Sequence, residues 1–170
     1  MRDASGRGVP SRGWVLAVLL LGLPGLAAGQ GREIHGENST FAGEGVAMAW
    51  GILKAASEDQ SQVVIRIVPL SGVYAYASVE GVDPFTQKRQ EILGGHPLTG
   101  TLEIRSPRAT FAEFPRREIR VFTAGDWRAG RPTLIIYYMG VPDTTPEFLT
   151  ESALSAYLDA ALTKLRERGQ

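Results

Sequence analysis

Residues 63–70 read VVIRIVPL, and this run constrains the fold more than any other stretch of the chain. Four β-branched side chains in its first five positions disfavour a helix and suit a pleated strand, and Pro69 removes a ladder donor and ends it. Similar runs recur between turn residues. GVYAYASVEGV alternates Val73, Ala75, Ala77 and Val79 against Tyr74, Tyr76 and Ser78. TLEIR and EIRVF are short alternating strands, expected to pair with each other across a hairpin. PTLIIYYMG lacks alternation, which predicts a central strand covered on both faces.

The stretch GVAMAWGILKA fits two periods. Period two gathers Val46, Met48, Trp50 and Ile52 on one face, whereas period 3.6 makes a stripe of Val46, Ala49, Trp50 and Leu53. Gly45 and Gly51 each cost a helix roughly 1 kcal/mol relative to alanine, so the strand reading is preferred. With SEDQS as the turn, this strand and VVIRIVPL form a long hairpin. Asp83-Pro84 opens a further turn.

The C-terminal segment differs. Leu154, Leu158, Ala161, Leu162 and Leu165 recur at helical spacing. Thr150 is placed to cap the N-terminus, Glu151 lies in the first turn, and Lys164, Arg166 and Arg168 lie toward the other end. The expected fold is therefore mainly β: an antiparallel β-sandwich or partly open barrel of about five to seven strands. One amphipathic helix over 150–167 closes it, with an α+β arrangement as the alternative. The globular domain is expected over 45–170, after a polar, glycine-rich irregular arm at 30–44.

Residues 1–29 have the order of a secretory signal peptide: Arg2, Arg7 and Arg12, an apolar run from Trp14 to Ala28, then small residues. The run is fifteen residues long and broken by Gly22, Pro24 and Gly25, short of the about 20 that a spanning helix requires. Cleavage is expected near Gly29–Gln30, with Ala27–Ala28 as the alternative, leaving no stable membrane span. The implied location is periplasmic or extracellular. Removing this segment changes a balanced chain of 18 basic and 18 acidic residues into a mildly acidic one, which does not suit nucleic-acid binding.

The chain contains no cysteine, so disulfides, thiolate catalysis and cysteine metal sites are excluded. His35 and His96 stand far apart with no ligand spacing around them, and neither a metal nor another cofactor is indicated. Phosphate-loop, dinucleotide-turn and nucleophile-elbow motifs are missing. His96, in GGHPLTG, is the one acid–base candidate for an alternative reading as a small exported enzyme.

Seven arginines fall between Arg105 and Arg131 against Glu113, Glu118 and Asp126. Phe111 and Phe114, three apart between Pro107 and Pro115, are spaced to pin one turn of the connection onto a core. Arg105 and Arg120 are absorbed by the paired strands. Arg108, Arg116 and Arg117 remain in a connection spanning 106–117, and they are the predicted binding residues for a small anionic ligand or another envelope protein. The expectation is an exported, non-enzymatic binding or accessory domain. A second alternative is a structural module of an envelope complex, docking through an exposed strand edge or the C-terminal helix.

Overall fold

A computed structural model of the chain describes residues 30–33, 39–139 and 145–169; the signal segment, His35 and residues 140–144 lie outside that description. The fold is mainly β: two stacked sheets, not closed into a barrel, with a long C-terminal helix. Sheet one has the order β1 (Gln30–Glu33), β9 (Leu134–Met139), β8 (Arg116–Phe122), β5 (Tyr76–Val82), β6 (Arg89–Pro97). Sheet two runs β10 (Glu147–Phe148), β3 (Val46–Leu53), β4 (Gln62–Pro69), β7 (Leu102–Pro107), and β2 (Thr40–Gly43) also pairs with β3. Pairing is antiparallel except for β1 with β9 and β10 with β3. The helices are α1 (Thr110–Glu113), α2 (Ala124–Ala129) and α3 (Glu151–Arg168).

Strict alternation builds the layer between the sheets. Val46, Met48, Trp50 and Ile52 of β3 point inward, and the register sets Trp50 beside Ile65 and Ile65 beside Ile104. Sheet one answers with Ala77, Val79, Ile119, Val121, Leu134 and Ile136. Each of these is at most 5 % exposed, so the two inner faces form one dry core.

The opposite parity of β3 is small: Ala47, Ala49 and Gly51. Together with Val64 and Val68 it accepts Leu154, Leu158 and Leu162 of α3. A Cβ at Gly51 would stand 2.7 Å from a Leu154 methyl. The glycine that disfavoured a helix is therefore what lets α3 approach sheet two. Fully burying each leucine contributes about 1.5–3 kcal/mol. Thr150 Oγ1 accepts the Ala153 N–H at 3.3 Å, the N-cap read from the sequence.

The expected β3–β4 hairpin is present, but the expected TLEIR–EIRVF pairing is not. After β7 the chain passes through α1 and changes sheets, so β7 pairs with β4 while β8 lies between β5 and β9. Residues expected to be an irregular arm contribute β1 and β2 instead. A two-residue turn joins β2 to β3, with Glu44 at φ 53° and Gly45 at φ 81°, the left-handed pair that suits hairpin twist. Strand β9 has strand neighbours on both sides, yet its outer residues Ile135 and Tyr137 are only half-buried, because among the described residues no helix covers that face.

Trp127 on α2 closes the end of sheet one near β6. Its indole stacks on Tyr76 at 5.1 Å, meets Phe122 edge-on at 5.0 Å, and lies directly over Gly95, where an added Cβ would overlap the ring. Gly95→Ala is therefore expected to displace the indole, at a cost of about 1–2 kcal/mol from lost aromatic packing. Tryptophan emission should shift to the red, and unchanged emission would contradict the packing.

Candidate functional site

The three predicted binding arginines do not converge. Arg108 follows β7 and reaches toward sheet two's far end, where Nη2 meets Glu58 Oε1 at 3.0 Å and Nη1 meets Glu147 Oε1 at 3.5 Å. Arg116 is not in a loop but opens β8. Its guanidinium lies 4.3 Å from the centre of the Tyr137 ring and pairs with Glu118 at 2.9 Å on the outer face of sheet one.

Arg117 faces the other way and is only 1 % exposed. Its guanidinium sits 3.7 Å over the Phe111 ring and donates to Thr110 Oγ1 at 2.6 Å, to Ser106 Oγ at 3.1 Å and to the Phe114 carbonyl. Across the ladder stands Gly81, where a Cβ would come within 3.1 Å of Arg117 Nη1. Arg117 is thus an internal tie for the α1 turn, whose Phe111 and Phe114 are both buried. The expected anionic cradle is not formed by these residues. Alternation along β8 sends two of them to opposite faces of sheet one, and Arg108 lies at the end of sheet two.

On the outer face of sheet one, Glu118 collects arginines. Arg89 Nη1 lies 3.0 Å and Arg120 Nη2 3.1 Å from Oε2, in addition to Arg116 on Oε1; Arg89 and Arg120 also reach Glu80. Burial alone would raise the Glu118 carboxyl, but hydrogen bonds from Arg89 and Arg120 and the charges of Arg89 and Arg116 outweigh it, holding it below the ordinary carboxylate range. The network sets Arg89, Arg116 and Arg120 against Glu80 and Glu118, three cations against two carboxylates.

His96 is exposed on β6, opposite Ala77. Among the described residues, no three metal-ligating side chains gather into a site. Phe85, 92 % exposed, stands on a turn fixed by Asp83, whose Oδ1 accepts the Phe85 and Thr86 N–H groups at 2.9 and 3.2 Å.

A concave feature lies elsewhere, between β2 and the second half of α3. Two adjoining hollows, of about 290 and 440 Å3, share Leu165 and Arg168. Thr40 and Ala42 form one wall, Tyr157, Ala161 and Lys164 the other, and Leu70 closes the end near Gly169. The hollows follow one another along β2, so the shape is a trough rather than a closed cavity. Burial pushes the Tyr157 hydroxyl above its ordinary range, against a hydrogen bond with Ser39 that lowers it.

Two facts make this trough distinctive. First, β2 bonds to β3 on one side only, and among the described residues no strand lies along its other edge. The Trp50 N–H donates to the Ser39 carbonyl at 3.0 Å, so alternation turns the N–H and C=O of Thr40 and Ala42 away from β3, toward the open side. Second, α3 is held asymmetrically. Its far flank is clamped by Arg66, which donates to Glu103 at 2.8 Å, Asp159 at 2.7 Å and Ser155 Oγ at 2.9 Å, and by the Arg105–Glu151 pair. The flank toward β2 carries the Tyr157 hydroxyl, hydrogen-bonded with Ser39, and Lys164 and Arg168 there form no ion pair among the described residues.

Sequence reasoning named an exposed strand edge and the C-terminal helix as docking elements without joining them. The missing signal was β2, whose four residues TFAG carry too short a pattern and whose Glu-Gly turn is an uncommon hairpin pair. Comparison with known proteins finds no matching family model, no similar curated protein and no similar solved structure, so the reading of function rests on the geometry of this chain.

Proposed function

We propose that this protein is an exported, non-enzymatic docking domain that takes up an extended segment of a partner by strand addition to β2, beside α3. The observation that carries the reading is the open edge of β2, where the outward backbone groups of Thr40 and Ala42 border a trough floored by Ala161 and Leu165. Unpaired strand edges recruit extended backbone, and a neighbouring trough supplies side-chain selectivity. A small-molecule pocket fits less well, because such sites enclose most of their ligand and this trough is open along its length. The signal-like segment at 1–29 supports a periplasmic or extracellular setting, which makes another envelope protein the natural partner.

The test uses the full chain and a displayed library of random octapeptides. Selected peptides should perturb the Thr40 and Ala42 amides in nuclear magnetic resonance spectra and slow their hydrogen exchange. Ala42→Pro, which removes an outward donor while remaining compatible with an edge strand, should weaken binding at least tenfold with little change in thermal stability. Thr40→Pro provides a second variant on the same edge. Peptides that bind without touching these amides, or that ignore both prolines, would rule out strand addition.

A further inference from the structure

Lys164 and Arg168 are four residues apart on one face of α3, and both line the trough. Like charges at that spacing repel and destabilise a helix by about 0.2–0.5 kcal/mol. A carboxylate neighbour would relieve the repulsion, yet neither cation forms an ion pair among the described residues. Lys88, Arg128, Arg131 and Arg166 likewise form no ion pair among the described residues, but none of them lines the trough. Arg66, Arg89, Arg105, Arg108, Arg116 and Arg120 each bond to at least one glutamate or aspartate. The need for positive charge at the carboxyl end of α3 is also met by Arg166, which does not line the trough. Lys164 and Arg168 are thus cations that line the trough and are not engaged by an ion pair among the described residues.

Resting on the strand-addition reading, we infer that the segment bound at β2 is acidic, with carboxylates directed at Lys164 and Arg168. Its backbone pairs with Thr40 and Ala42. Along such a strand, alternate side chains face α3, and those over Ala161 and Leu165 are small or apolar because these two side chains are themselves apolar. The mature chain is mildly acidic overall, so these cations select locally rather than by long-range attraction of any anion. A nucleic-acid strand would satisfy the charges but offers no peptide backbone to the open edge, so an acidic peptide fits both halves of the trough.

Three acetylated, amidated octapeptides of alternating valine and threonine serve as probes. They carry two glutamates, two glutamines or two lysines at the same threonine positions. The glutamate peptide should bind the full chain at least tenfold more tightly than the glutamine peptide at 50 mM salt, and the advantage should shrink at 500 mM. The double variant Lys164→Glu with Arg168→Glu should reverse the order in favour of the lysine peptide. All three peptides binding equally, with the Thr40 and Ala42 amides perturbed, would overturn the acidic preference and leave strand addition standing. Failure of every peptide to perturb those amides would remove strand addition itself. A single-stranded oligonucleotide that binds the trough where the glutamate peptide does not would also overturn the inference.

Discussion

Arg117→Ala is expected to destabilise the protein by about 2–4 kcal/mol, the scale of losing several buried hydrogen bonds and opening a cavity. Three losses add. The guanidinium no longer covers the Phe111 ring. The Phe114 carbonyl, Ser106 Oγ and Thr110 Oγ1 lose a donor in a region with little access to water. The truncated side chain also leaves a void beneath α1. Urea unfolding should show a lower midpoint with an unchanged slope, which marks a stability change without loss of two-state behaviour. Arg117→Met should recover part of the loss by refilling the space over Phe111. Arg108→Ala and Arg116→Ala should each cost less than about 1 kcal/mol, because their ion pairs are partly solvated. Equal effects at all three positions would mean that they form one exposed group after all.

The inward position of Arg117 was legible in the sequence. In RREIRVF it shares parity with Ile119 and Val121, while Arg116, Glu118 and Arg120 share the other. The expected strand EIRVF starts two residues after β8 does, which leaves Arg117, a charged residue on the apolar parity, in the connection. The long regular elements are legible: α3 from its helical period, β4 from its β-branched run, and β3 from period two once Gly45 and Gly51 weigh against a helix. Strands β1, β2 and β10 have four residues or fewer, too few for a period to declare itself. Strand β6 is longer, but it is an exposed edge with Gly94 and Gly95 inside it, so neither burial nor propensity marks it.

The mispairing of TLEIR with EIRVF has a different cause. Local pattern does not say whether a connection folds back within one sheet or crosses to the other. Here the crossing is set by Phe111 and Phe114, which seat α1 against the core at the sandwich edge. The same limit hid the docking trough. Its walls are separated by more than a hundred residues in sequence, and they meet only because the alanines of β3 and Gly51 allow α3 to settle beside β2.

Glu118→Gln is expected to cost about 2–3 kcal/mol at neutral pH, with a pH signature that separates electrostatics from packing. The carboxylate is only 5 % exposed and takes contacts from Arg89, Arg116 and Arg120, while across the ladder stand Glu80 and, beyond it, Glu91. With Glu118 neutral, Arg89 and Arg120 share Glu80, Arg116 loses its carboxylate, and an amide N–H2 faces cations. The cost stays below that of a fully buried pair because the three arginines keep substantial solvent contact. The Glu118 carboxyl titrates lower in the folded state than in the unfolded chain, where it is near about 4.3. Its contribution is therefore complete above the unfolded value and is lost as pH falls through the lower folded value. Wild type and E118Q should differ fully at pH 7 and converge as the pH falls below that folded value, since a protonated glutamate and a glutamine make similar demands on the arginines. A difference that persists unchanged into acid would assign the loss to packing and reject the arginine network as its cause.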